Sequence, residues 1–183
     1  MRQILSILDE MKNKTSYNCI VEGLNSSLIG GGGHGGVRLF EQSRNQIKQI
    51  TPHNHRFDFT CLVLSGHVVN HLWRESKNGD EYQSSSLTYL GRPGSYTKEA
   101  GVVSSFSKFS KKYVEGDWYS MKAHELHSIE FSKGAKVLFF EGKEVTKTTQ
   151  VIEPYVNKQL IPTLLTEDWM FLSSIKSDNN SAV

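Results

Sequence analysis

The chain carries seven histidines, and two of them stand as His53-Asn54-His55 just ahead of a run that alternates like a strand, Phe57-Asp58-Phe59-Thr60-Cys61-Leu62-Val63. Side chains on a strand alternate with period two, so both imidazoles face the side that Phe57, Phe59 and Cys61 also face. If that side is the interior, two ring nitrogens converge in an apolar cavity. A divalent metal is the usual reason for such convergence. A third ligand must come from a distant strand, and His127, at the head of His127-Ser128-Ile129-Glu130-Phe131, can supply it. His124 cannot share His127's direction in a regular strand. It is expected near the rim as an acid/base group, or as the ligand in place of His127. Glu141, on a late strand, is the replacement carboxylate for the same position.

Other residues are candidates for work around such a centre. His67 and His71 share a parity with Val69 and Trp73, so His71 is expected to line the cavity as a hydrogen-bond donor or acid/base group, with Trp73 in its wall. Arg38, Arg56 and Arg74 can anchor a carboxylate or phosphate, because a guanidinium grips either in a bidentate fork. Arg74 stands with His71 and His124 as a candidate catalytic group, and Arg38, Arg56, Trp73 and His34 as candidate substrate contacts. The plain alternatives are surface salt bridges for the arginines and satisfied packing for single histidines. Cys61 has the parity to line the pocket, although a buried cysteine is usually a small hydrophobe.

The elements that must position these groups are short β-like runs. Asn18–Leu24, Val37–Gln42, Asn45–Thr51, Arg56–Leu64, His67–Arg74, Glu81–Leu90, Tyr96–Ser107, Tyr113–Lys122, Ser128–Phe131 and Val137–Glu141 read as strands, separated by turn signals such as Ser65-Gly66, Arg92-Pro93-Gly94 and Lys133-Gly134. Asn78-Gly79 is the strongest hairpin signal. Many short strands at this spacing predict an all-β antiparallel barrel or jelly roll over residues 37–153. Residues 1–14, with Ile4, Leu5, Ile7, Leu8 and Met11 at helical spacing, predict a short N-terminal helix. Residues 163–176 predict a C-terminal one, followed by a frayed tail at 177–183. Gly30 to Gly36, interrupted only by His34, must be a loop. It lacks the Gly-Lys-Ser/Thr of a P-loop and the βαβ context of a dinucleotide fingerprint. Ser104–Lys112 reads as a solvated hairpin tip or a charged lid.

Composition narrows the classes. With 183 residues the chain fits one domain, residues 1–183. A formal charge of +2 implies no nucleic-acid or membrane field. No apolar run approaches the roughly 18 residues of a membrane span. Two cysteines are too few for a disulfide framework or a cysteine-based zinc site. A soluble cytoplasmic protein is expected.

Pro52-His53-Asn54-His55, followed by a hydrophobic strand ending Val63-Leu64-Ser65-Gly66, resembles the first motif of the cupin superfamily, His-x-His, three or four residues, Glu, six residues, Gly. The stretch Tyr119–Ile129 resembles its second motif, whose last histidine is a metal ligand. The motif glutamate would fall at Phe59 or Thr60, neither a good ligand, and Lys122 and His124 replace the usual Pro and Gly. Keeping three histidines while losing the glutamate is similar to the thiol dioxygenase branch, where three histidines hold ferrous iron. The resemblance covers roughly residues 49–142. It implies a cupin-like barrel, Fe(II) or another divalent metal held by His53, His55 and His127, and a homodimer paired through sheet edges.

Three functions are compatible with these residues. The first is a mononuclear metalloenzyme, an Fe(II) dioxygenase acting on a small anionic substrate, since three neutral ligands leave more positive charge at the metal than two and a carboxylate. The second keeps the barrel but binds or hydrolyses a nucleotide or other phosphate compound, with the glycine loop and arginines on phosphate. The third is a small-ligand binding module without turnover.

Overall fold

Phe59, Cys61 and Val63, Tyr119 and Met121, and Val137 and Phe139 are buried at every second position of their strands, with less buried neighbours between them. The computed structural model describes residues 15–31, 35–90 and 95–155. Among these there is no helix, and the strands are β1 (Thr15–Ser16), β2 (Leu24–Gly30), β3 (Val37–Gln42), β4 (Phe57–Ser65), β5 (His67–Tyr89), β6 (Tyr96–Val114), β7 (Trp118–Met121), β8 (Leu126–Phe131), β9 (Lys136–Glu144) and β10 (Thr148–Pro154). The predicted terminal helices at 1–14 and 163–176, the tail at 177–183 and His34 lie outside the described residues.

All pairings are antiparallel. One sheet has the order β1-β2-β3-β9-β4-β7, and the other the order β10-β5-β6 with β8 also on β5. The long β5 keeps β6 along one edge and shares the other: Val68–Trp73 pair with β8, and Tyr82–Thr88 pair with β10. The sheets do not close into the expected barrel. They meet across one core, to which the first contributes Phe40, Phe59, Cys61, Val63, Val137 and Phe139 and the second Val68, Ile129 and Phe131. Each large apolar side chain so buried contributes about 1.5–3 kcal/mol.

The structure departs from the sequence expectations in four places. Residues 18–23 form a tight turn instead of a strand, with positive φ at Asn18, Ile20 and Gly23, and the strand starts at Leu24. Asn45–Thr51 is an irregular connector; Gln46 caps β8 by accepting from Phe131 N (2.9 Å). Asn78-Gly79 is not a hairpin turn. Glu75 and Asp80 both pair with Phe106, so residues 76–79 bulge out of a strand that continues on both sides. A Cβ on Gly79 would sit 2.2 Å from the Phe106 carbonyl oxygen, so only glycine lets the backbones approach there. Ser104–Lys112 is neither tip nor lid: it lies within β6, paired to β5.

Gly66, the glycine of the first motif, has a clear local duty. It joins β4 to β5 at φ +70°, and a Cβ there would meet Ala135 Cα at 2.9 Å.

Candidate metal centre

His53 lies just before β4, and the backbone fixes it. Its N–H donates to the His127 carbonyl and His127 N–H donates back to the His53 carbonyl, both at 2.8 Å. This reciprocal bond sets the two residues opposite each other, so their side chains share a face. The flanking groups lock the same segment onto β10: Ile152 N–H donates to Pro52 O (3.0 Å), Asn54 N–H to Gln150 O (3.0 Å), and Gln150 N–H to Asn54 Oδ1 (2.6 Å). His55 N–H donates to the Ala123 carbonyl (3.0 Å). That turn is itself held by Asp58, whose Oδ1 accepts from Ala123 N–H at 2.8 Å.

Three rings therefore converge, with centroid separations of 4.8 Å for His53–His55 and 5.1 Å for each of them to His127. Each offers a nitrogen, and these donor atoms all lie within 4.8 Å of one another. Among the described residues this is the one such group of histidine, cysteine or carboxylate donors. His53 Nδ1 donates to the Thr51 carbonyl (2.9 Å) and His127 Nδ1 donates to Asn70 Oδ1 (2.8 Å), which leaves both Nε2 lone pairs facing inward. His55 Nε2 stands 2.9 Å from His127 Nε2. Burial pushes all three rings below their ordinary 6.5; for His55 and His127, which fall well below it, neighbouring histidine charge adds to the effect, while the Thr51 carbonyl opposes it for His53. They are neutral near pH 7, the form that can ligate.

The donor set fits a divalent ion. Two nitrogens each about 2.1 Å from one metal, at right angles, lie about 3 Å apart. The 2.9 Å between His55 Nε2 and His127 Nε2 matches that separation. All three ligands are imidazole, which suits Fe, Zn, Cu or Ni rather than Mg or Ca.

The histidines open on a cavity of about 130 Å³ between the sheets. Its walls are aromatic: Phe59 is edge-on to His55 with centroids 4.6 Å apart, and Phe139 lies 4.8 Å from Phe59. Cys61 is in the lining, where burial raises its thiol to about 12, so it acts as an apolar group. Arg38, Arg56 and Glu141 also line it. Arg38 Nε donates to Glu141 Oε1 (2.9 Å), Arg56 to Glu144 Oε1 (2.7 Å), and the Arg56 guanidinium lies 4.3 Å from the Tyr89 ring centre. The Glu141 carboxylate is thus engaged by arginine and stands outside the histidine donor group.

The remaining predicted residues fall elsewhere. Leu72 pairs directly with His127, so Val68, Asn70 and Leu72 share its face while Val69, His71 and Trp73 point the other way. His71 bonds Ser110 Oγ (2.7 Å) and Glu130 Oε1 (3.0 Å) on that opposite face. Trp73 Nε1 donates to Ser128 Oγ (3.0 Å) and packs with Phe106, Leu126 and Ile152 in a second core. The expectation that His71 lines the cavity with Trp73 in its wall is corrected by this one-residue parity. His124 is exposed on the turn before β8 and lines an outer groove with Arg74 and Trp73, away from the three histidines. Asn70, on the His127 face, is a functional residue outside the sequence expectations. Its signal was a polar residue at an apolar parity, between Val68 and Leu72.

No protein-family model and no curated protein sequence matches the chain. It is similar to several solved structures. One is hydroquinone 1,2-dioxygenase PnpCD in complex with Cd2+ and 4-hydroxybenzonitrile, at 14% identity over 76% of this chain and 72% of that one, with a TM-score of 0.42. Another is KdgF from Halomonas sp., at 11% identity over 70% and 89%, TM-score 0.40. A third is HEPD of Streptomyces albus with 2-hydroxyethylphosphonate and Fe(II) bound, at 12% identity over 68% of this chain and 22% of that one, TM-score 0.41.

Proposed function

We propose that this protein is a mononuclear metalloenzyme of the cupin type, an Fe(II) dioxygenase acting on a small anionic molecule. The observation that carries the reading is the inward convergence of His53, His55 and His127 at the end of an apolar cavity, two of them with Nδ1 already engaged. A ferrous ion held by these histidines would supply the centre through which electrons pass between substrate and dioxygen.

The chain's own residues do the rest. His53, His55 and His127 present neutral nitrogens because burial disfavours their charged forms. Phe57, Phe59 and Phe139 keep water from the open side of the histidines. A cavity of about 130 Å³ is close to the about 150 Å³ that accepts a benzene-sized molecule in an engineered protein core, so the substrate is small. Arg38 is tied to Glu141 through Nε, which leaves its terminal nitrogens to receive a carboxylate, and Arg56 is the second anchor.

The test is metal content after purification without chelator, comparing wild type with His53→Ala/His55→Ala and with His127→Ala. About one iron per chain, lost in both variants, supports the reading and makes oxygen consumption with candidate acids the next assay. A wild type that stays metal-free even after anaerobic reconstitution with Fe2+ would overturn it.

A further inference from the structure

We infer that Asn70 is the positioning residue of the candidate metal centre, and that it divides the ligands into a preset pair, His53 and His127, and one adjustable member, His55. The inference rests on the metal reading above and adds how the ligand set is prepared.

Asn70 lies on β5, 6% exposed, on the His127 side of the strand. Its Oδ1 takes the His127 Nδ1 proton at 2.8 Å, and its Nδ2 donates to Met121 Sδ at 3.3 Å. The sulfur can only accept, so a flipped amide would lose this bond and set Oδ1 against a second acceptor. The oxygen therefore stays aimed at His127. With its proton held at Nδ1, His127 keeps the Nε2 lone pair toward the cluster. The Thr51 carbonyl does the same for His53 at 2.9 Å.

His127 Nε2 carries no proton, so in the metal-free protein the 2.9 Å contact between the two Nε2 atoms needs the proton on His55. His55 thus rests as the Nε2–H tautomer. It must pass that proton to Nδ1 before Nε2 can ligate, while the other two rings need no change. His55 is also the one ring of the three that keeps partial exposure.

The test uses the full chain stripped of metal, with Co2+ as probe and the wild type, Asn70→Ser and Asn70→Asp compared. Long-range 15N NMR of the imidazoles is expected to show His127 as Nδ1–H and His55 as Nε2–H in the wild type. Asn70→Ser, too short to reach, should lose the fixed His127 tautomer and weaken Co2+ binding about 10–100-fold. Asn70→Asp, which keeps an acceptor oxygen, should restore both to within a few-fold. Circular dichroism and the metal-free melting midpoint separate this pattern from a folding defect, which would not be rescued tautomer-specifically. Unchanged tautomers and unchanged Co2+ affinity in folded Asn70→Ser would overturn the inference. A wild type that takes up no Co2+ yet holds the His127 tautomer that Asn70→Ser loses would overturn the metal reading while upholding Asn70 as the residue that orients His127.

Discussion

His127 and His71 occupy opposite faces of neighbouring strands and differ in what their second nitrogen meets. Both are nearly inaccessible, 4% and 5% exposed, and both have Nδ1 in a short hydrogen bond. The second nitrogen of His71 meets the Glu130 carboxylate at 3.0 Å, so both of its ring nitrogens are engaged. The second nitrogen of His127 meets another imidazole at the end of a cavity. Burial and hydrogen bonding are common to both histidines. Only the direction of the remaining lone pair separates a candidate ligand from a structural cross-link between β5, β6 and β8.

That contrast can be broken by exchanging the two faces in turn. The largest effect is expected for His127→Ala, which should lower metal affinity by more than the about 10–100-fold typical of removing an outer partner, while His71→Ala keeps full stoichiometry. Metal analysis of the two purified variants decides it, and equal loss in both would erase the distinction. Next in size is packing on the cavity face. Phe139→Ala removes an 8%-exposed ring that touches Phe40, Phe57 and Phe59. It should cost about 3–5 kcal/mol, measured by urea unfolding of the metal-free chain.

The pH dependence sharpens the comparison. Burial depresses the His53, His55 and His127 values in the folded chain below their ordinary 6.5. The unfolded state therefore binds protons first as pH falls. Chelated protein should be most stable above pH 6.5 and lose stability progressively below it. A melting series between about pH 8 and pH 5 reads the slope, and His127→Leu should flatten it. The smallest effect belongs to the opposite face: Trp73→Phe deletes the donor to Ser128 and is expected to cost about 1 kcal/mol, with metal content unchanged. A measurable loss of metal there would mean that the two faces communicate.

Much of the site was legible because strand periodicity is a local rule. His53 and His55 are two apart beside an alternating strand, so their common side could be read without knowing what lay opposite. The strand from Phe57 to Val63 announced its buried side for the same reason, and Gly66 fell at a link whose backbone takes a positive φ. What the periodicity could not supply was phase. On β5 every second residue is named by parity, but whether Asn70 or His71 faces the histidines depends on which residue of β8 lies opposite, and that register is set by long-range pairing. Asn78-Gly79 misled for a related cause. Its local turn preference is real, yet β6 holds both flanks of β5 and absorbs the extra residues as a bulge.

By itself the sequence determined an all-β body, a pair of histidines on one side of a strand entrance, and a distant histidine able to join them, since each follows from local spacing and residue chemistry. Tertiary structure alone decided that His127 converges with His53 and His55, that Glu141 is engaged by Arg38, and that His124 and Arg74 stand in an outer groove. The physical reason is that those outcomes depend on backbone hydrogen bonds between segments more than fifty residues apart, such as the reciprocal pair joining His53 to His127. No local pattern encodes which distant strand will close such a pair.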